Sequence, residues 1–220
     1  NLETAGARAV QERLRERVRL APLALGRVSA VAGCDLAVSR RIGRVVAAAV
    51  VVSYPDLDVL ETRVLDSPLT FPYIPGLLSF REIPGLVACL ERVETPFDAM
   101  LCDAQGIAHP RRLGLASHLG LMLDLPTVGC AKSRLVGEHD EPGRERGAWK
   151  PLYDRGERIG SVLRTRDGVK PLYVSPGHRV DHPASRRITL ACSTRYRLPE
   201  PTRLADIAAG IEKRRLEGRR

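Results

Sequence analysis

Three apolar stretches follow one another early in the chain without a helical period. SAVAGCDLAV (Ser29–Val38) is short and apolar, with one acid, Asp35, inside it. Gly43 then opens GRVVAAAVVVSY, a β-branched run that reads as a strand buried on both faces. After the turn at Pro55-Asp56, Leu57–Leu65 reads as a third strand. Three strands joined by short turns predict an antiparallel meander. Ahead of them, Ala5–Leu20 places Ala9, Val10, Leu14 and Val18 on one side of an amphipathic helix that Pro22 stops.

Strand and helix patterns alternate in the rest of the chain. Ile83, Leu86, Val87, Leu90 and Val93 share one helical face, and Ser79 and Glu82 have the spacing of a capping box at its start. Phe97–Cys102 is a strand ending at Asp103, followed by a Gly-containing loop and a helix from about Arg112. Pro126–Ala131 is a short strand, and Glu138–Trp149 is a polar, Gly-rich surface excursion. Glu157–Arg164 and Pro171–Ser175 read as strands. Pro183–Tyr196 and Arg203–Arg215 read as helices, the second after the Pro-rich hinge LPEP. The fold class is therefore α/β, a mixed central β-sheet flanked by helices.

Composition adds a partner. The 220 residues suffice for one compact domain, 1–220, and Lys plus Arg is 35 against 26 acids, a net charge of +9. That excess favours a polyanion, nucleic acid before membrane. No apolar run approaches the ~20 residues of a membrane span, and Arg8, Glu12, Arg13 and Arg17 interrupt the N-terminal stretch where a signal peptide would be apolar. The five cysteines are scattered, odd in number and never paired as C-x-x-C. They read as reduced, mostly buried thiols of a cytoplasmic protein.

Chemistry concentrates on three acids. Asp35 sits inside an apolar strand and Asp103 just past the end of another, where a carboxylate is costly unless hydrogen-bonded or metal-bound. Glu82 closes FPYIPGLLSFRE (Phe71–Glu82), too rich in Pro and Gly for a strand or helix and too apolar for a surface loop. Three such acids would make an oxygen cluster of the kind Mg²⁺ prefers. Each acid alone has a structural use: strand-end hydrogen-bonder for Asp35, cap for Glu82, N-cap for Asp103. Tyr73-Ile74, set between Pro72 and Pro75, suits a rigid wedge between bases, or equally a buried hydrophobic loop. His109 precedes Pro110-Arg111-Arg112 and is placed for proton transfer or phosphate contact; His118, inside a helix, reads as a packing histidine. Lys132 at a strand end faces either a phosphate or solvent, and Asp206 is also explained as an acid near a helix start. Arg111, Arg112, Arg134, Arg179 and Arg203 form a candidate phosphate surface.

These residues lie in motifs that settle a resemblance. FPYIPGLLSFRE, LCDAQGIAHPRRLGLASHLG, VGCAKSRL, SPGHRV and YRLPEPTRLAD, in that order over Gly33–Asp206, strongly resemble the endonuclease V family. The resemblance implies a ribonuclease H-like fold, with which the strand order agrees, and cleavage of the second phosphodiester 3′ to hypoxanthine. It implies Mg²⁺, with Mn²⁺ able to substitute, held by Asp35, Glu82, Asp103 and Asp206. It further implies Tyr73 as wedge, His109 and Lys132 at the scissile phosphate and catalytic water, and a lesion pocket near Ile74, Pro75, Gly76, Leu78 and Gly106. Inosine-containing DNA is the implied partner, to a monomeric protein, with single-stranded DNA or RNA as further substrates. Two alternatives stand beside it: the same chemistry on inosine-containing RNA, or a lesion- or junction-binding protein that does not cut. Ala104 departs from the family, which has Gly directly after that aspartate; the added methyl is expected to restrict φ or narrow the approach to a flipped base.

Overall fold

The computed structural model describes residues 2–69 and 77–218. β1 (Ala30–Ser39), β2 (Arg44–Ser53) and β3 (Val59–Pro68) form the expected antiparallel meander. β4 (Ala99–Cys102) and β5 (Thr127–Ala131) extend it in parallel on the other side of β1. β6 (Trp149–Asp154), β7 (Glu157–Leu163) and β8 (Leu172–His178) complete an eight-stranded mixed sheet in the order β3-β2-β1-β4-β5-β8-β7-β6.

The apolar run of β2 explains the layering. Val46, Ala48, Val50 and Val52 enter one core with Val128, Leu172 and Val174, covered by α4 (His182–Ala191) and α5 (Glu200–Gly218). Ala47, Ala49 and Val51 enter the opposite core with Met100 and Cys102, covered by α2 (Leu78–Leu90) and α3 (Leu115–Leu123). Alternate side chains of one strand thus fill both layers, as a strand covered on both faces requires. All five cysteines are buried and unbridged, as expected. Among the described residues no helix is long and apolar enough to cross a membrane.

Several boundaries differ from the expectation. α1 (Leu2–Arg15) stops five residues short of Leu20, where turn bonds from Arg17 N–H to Leu14 and from Val18 N–H to Arg15 close it. The Arg19 carbonyl is then captured by the Arg179 N–H at 2.7 Å. α3 starts three residues after Arg112, which takes φ +57° and folds its N–H back onto the His109 carbonyl, a conformation no helix continues. The capping box is not formed: Leu77 is the N-cap, and Ser79 lies inside α2 with its Oγ 3.3 Å from His118 Nδ1. LPEP is a helix start, with Pro201 in the first turn of α5, where its missing N–H costs nothing.

Candidate functional site

The site forms where β4 ends beside the middle of its parallel neighbour β1. β1 and β4 pair with Cys34 opposite Cys102, so the next residues, Asp35 and Asp103, emerge together. Asp206 arrives on α5, which lies against the face of β1 that Gly33 and Asp35 share. Gly33 makes this possible: a Cβ there would stand 2.2 Å from the Pro201 backbone carbon, so only glycine lets the start of α5 lie against β1. One turn on, Asp206 is within electrostatic reach of both other acids.

Lys132, one residue past β5, bridges this group: Nζ lies 2.5 Å from Asp103 Oδ2 and 4.0 Å from Asp206 Oδ2. Arg197 supports it from behind, donating Nη2–H to the carbonyls of Lys132 and Pro171, both at 2.7 Å. Arg197 was not singled out from the sequence; its only signal there is its place at the head of YRLPEP. Glu82 sits on α2, ion-paired to its neighbour Arg81 at 3.0 Å and screened from solvent.

The electrostatics are unbalanced. Burial first, then the neighbouring charges of Asp103 and Asp206, push the Asp35 carboxyl up to about 7. Burial raises Asp103 as well, with the Lys132 hydrogen bond opposing it, and burial raises Glu82 against its pairing with Arg81. Among the described residues no three His, Cys, Asp or Glu side chains are gathered tightly enough to hold an ion as they stand. The donor set still fits a hard divalent cation: all carboxylate oxygens, mutually repelling, with one lysine ammonium bridging two of them.

A cavity of about 360 Å³ opens beside Asp103 and Lys132, walled by Leu78, Ala104, Gln105 and His109. Ala104 and Gln105 line it; Gly106 does not, but the 104–106 segment is held by close approach. A Cβ on Gly129 of β5 would stand 2.4 Å from Gly106 N and 2.6 Å from Ala104 O. Gly106 N–H donates to Ser175 Oγ at 2.8 Å, and its carbonyl accepts from Gly114 N–H at 2.9 Å. Ala104 has no left-handed φ, so the restriction expected of its methyl is not met; the side chain packs beside Cys102 and Leu115 in the core.

The remaining expected residues separate clearly. His109 is buried at the cavity, its Nδ1 accepting from Arg111 N–H at 3.2 Å. His118 packs edge-on against Phe80, and burial pushes it down to about 4, as befits a packing histidine. The arginine surface is corrected. Arg112 pairs with Asp154 and Glu157, Arg179 with Asp124 and Arg203 with Glu200, while Arg111 donates to Gln11. Of the five, Arg134 and no other lines the cavity. Tyr73, Ile74, Pro75 and Gly76 lie outside the described residues.

Asp35 within β1 and Asp103 just past β4, side by side on a mixed sheet covered by helices on both faces, fit a ribonuclease H-like nuclease. The endonuclease V family profile matches residues 12–207. Endonuclease V of Alkalilimnicola ehrlichii is 51% identical over 212 residues, 96% of this chain and 93% of that protein. The crystal structure of Streptomyces avermitilis endonuclease V superposes with a TM-score of 0.92 at 43% identity, covering 97% of this chain and 94% of the other. Ciona intestinalis endonuclease V, in complex with a 24-mer DNA containing an inosine followed by a ribo-adenosine, superposes at 0.86 with 26% identity, covering 98% and 100%. The chain belongs to the endonuclease V family, nucleases that are generally metal-dependent.

Proposed function

We propose that the chain is a DNA-repair endonuclease that recognises deaminated adenine, as hypoxanthine in deoxyinosine. It hydrolyses the second phosphodiester 3′ to the lesion and leaves 3′-hydroxyl and 5′-phosphate ends. The observation that carries this reading is the β1–β4 register, which sets Asp35 beside Asp103 within reach of Asp206. The inosine-containing DNA bound by the Ciona relative supports the substrate class.

Asp35, Glu82, Asp103 and Asp206 would hold Mg²⁺, with Mn²⁺ as substitute. Bound there, the ion supplies a water activated as nucleophile and charge stabilisation at the leaving oxygen. The chain's own groups do the rest. Lys132 orients the Asp103 carboxylate and brings positive charge to the scissile phosphate. His109, its Nδ1 accepting from Arg111 N–H at the cavity wall, would assist at the scissile phosphate. The cavity beside Asp103 receives the extruded base against Leu78, Ala104 and Gln105, and a mispaired base costs least to extrude.

A duplex carrying one deoxyinosine, incubated with Mg²⁺, tests this reading. A nick at the second phosphodiester 3′ to the lesion is expected; an uncut strand at active protein concentrations would sink it. A second reading keeps the chemistry and moves the main substrate to inosine-containing RNA, favoured by the ribo-adenosine in the Ciona complex. Faster cutting of an RNA strand of the same sequence would establish it. Binding without cleavage under any divalent ion would instead identify a lesion-binding protein, against which the acids beside the phosphate path argue. Tyr73 is proposed as the wedge that fills the vacated stack. Tyr73→Ala should weaken inosine-DNA binding roughly tenfold while sparing the cleavage step, and unchanged affinity would remove the wedge assignment.

A further inference from the structure

The β6–β7 edge carries positive charge that the site above does not use. Trp149, the protein's single tryptophan, is 40% exposed on β6. The Arg186 guanidinium, from α4, stands 3.7 Å from its ring centroid, and that of Arg158, from β7, stands 5.0 Å from it. Both half-buried guanidiniums turn to one neutral acceptor, the buried Ser161 Oγ, at 3.2 Å from Arg158 and 3.3 Å from Arg186. Arg158 adds one weak bond to the Gly160 carbonyl at 3.5 Å.

Among the described residues neither guanidinium has a carboxylate within ion-pair distance. Asp181 attracts Arg186 from afar, yet its carboxylate is already engaged as the α4 N-cap, accepting from Ala184 N–H at 2.7 Å. Arg187 adds further positive charge to Arg186, and His182, beside both guanidiniums, keeps a buried Nδ1 without a partner. Two like charges held together on an aromatic platform, with most of their ten N–H donors uncommitted, are an incomplete arrangement. Elsewhere in the molecule, Arg112, Arg203 and Arg215 each close on an acid.

We propose that Trp149, Arg158 and Arg186 form a second phosphate-binding patch, for the backbone of the nucleic acid whose lesion occupies the main site. The inference rests on the nuclease reading. The indole orients the two planar forks by stacking, and a backbone phosphate supplies the acceptor oxygens that Ser161 alone cannot. Such a contact reads no sequence and fixes register along the strand.

Two measurements on the full chain test it. First, the affinity of Arg158→Gln/Arg186→Gln for an undamaged and an inosine-bearing duplex is followed against salt. The double variant should bind both several-fold more weakly, with the slope of log affinity against log salt reduced by about 1 to 2. Arg158→Lys/Arg186→Lys should restore the slope, and single-turnover cleavage at saturating protein should be unchanged. Second, Trp149 emission in the unsubstituted protein should lose access to iodide quenching as undamaged duplex is added. Equal affinity and slope in the double glutamine variant, or Trp149 equally quenched at saturating duplex, would overturn the patch. Cleavage by the unsubstituted protein is measured alongside, so failure of the nuclease reading shows there and failure of the patch shows only in these arms.

Discussion

Asp35 and Glu61 are two carboxylates on strands of one sheet, treated in opposite ways. Glu61, on the edge strand β3, takes hydrogen bonds from Thr95 and from the backbone N–H of Glu94, and an ion pair from Arg63 at 2.6 Å. These hold its carboxyl at about 2. Asp35, on the central strand β1, is held up near 7 by its partial burial and by the charges of Asp103 and Asp206. The first acid ties β3 to the loop ahead of β4 and stabilises the fold. The second costs stability for as long as it is charged. The contrast between a carboxylate satisfied at the sheet edge and acids left mutually repelling at its centre is what supports the proposal that the central acids take a positive ligand.

The largest effect expected from breaking this contrast is on catalysis. Asp35→Ala or Asp103→Ala should lower single-turnover cleavage by at least the ~10²–10³-fold that loss of one preorganised electrostatic group costs, while binding of inosine DNA stays measurable. Full activity in Asp103→Ala would refute the assignment of these acids.

Stability should show the same contrast in the metal-free protein. A carboxyl raised in the fold contributes stability that is present below its unfolded value of 3.8 and lost as pH rises toward about 7. Asp35→Asn should therefore melt several degrees higher than the unsubstituted protein at pH 7.5, with the gap closing toward pH 4. Differential scanning calorimetry in chelator checks it, and a gap independent of pH would contradict it.

Lys132→Met should have an intermediate effect, lowering cleavage by roughly 10–100-fold, the range for a group that orients a ligand. Its activity profile should also shift to higher pH, because Lys132 favours the ionised form of Asp103. Glu61→Gln should leave cleavage unchanged and cost on the order of 1 kcal/mol at neutral pH. That loss follows the opposite sign: it is present above the unfolded value of 4.5 and vanishes as pH falls through about 2.

The central sheet was legible because β1, β2 and β4 are apolar runs bounded by turn residues, and burial on both faces leaves little else they can be. β6 was not: Pro151 demotes a strand, and its exposed edge carries Trp149, Lys150 and Tyr153 without clean alternation. The placing of Asp35 inside one strand and Asp103 just past the end of another followed from their apolar surroundings, which make an isolated carboxylate conspicuous. The capping box failed because Ser79 and Glu82 keep the right spacing two residues too deep in α2, a register that spacing alone does not carry. The arginine surface failed because ion-pair partners are tertiary: Arg112 meets Asp154 and Glu157 across more than forty residues. Arg197 and the Arg158–Arg186 pair carry no local signal, since what distinguishes each is the carbonyl, hydroxyl or ring it meets in the fold.

The most direct test of the central claim is the position of the cut. A duplex with a single deoxyinosine, labelled at both ends of the damaged strand, is incubated with Mg²⁺ and either the unsubstituted protein or Asp103→Ala. The account predicts one nick, at the second phosphodiester 3′ to the lesion with 3′-hydroxyl and 5′-phosphate ends, and none from the variant. An intact strand, a cut indifferent to the lesion, or equal cutting by Asp103→Ala would contradict it.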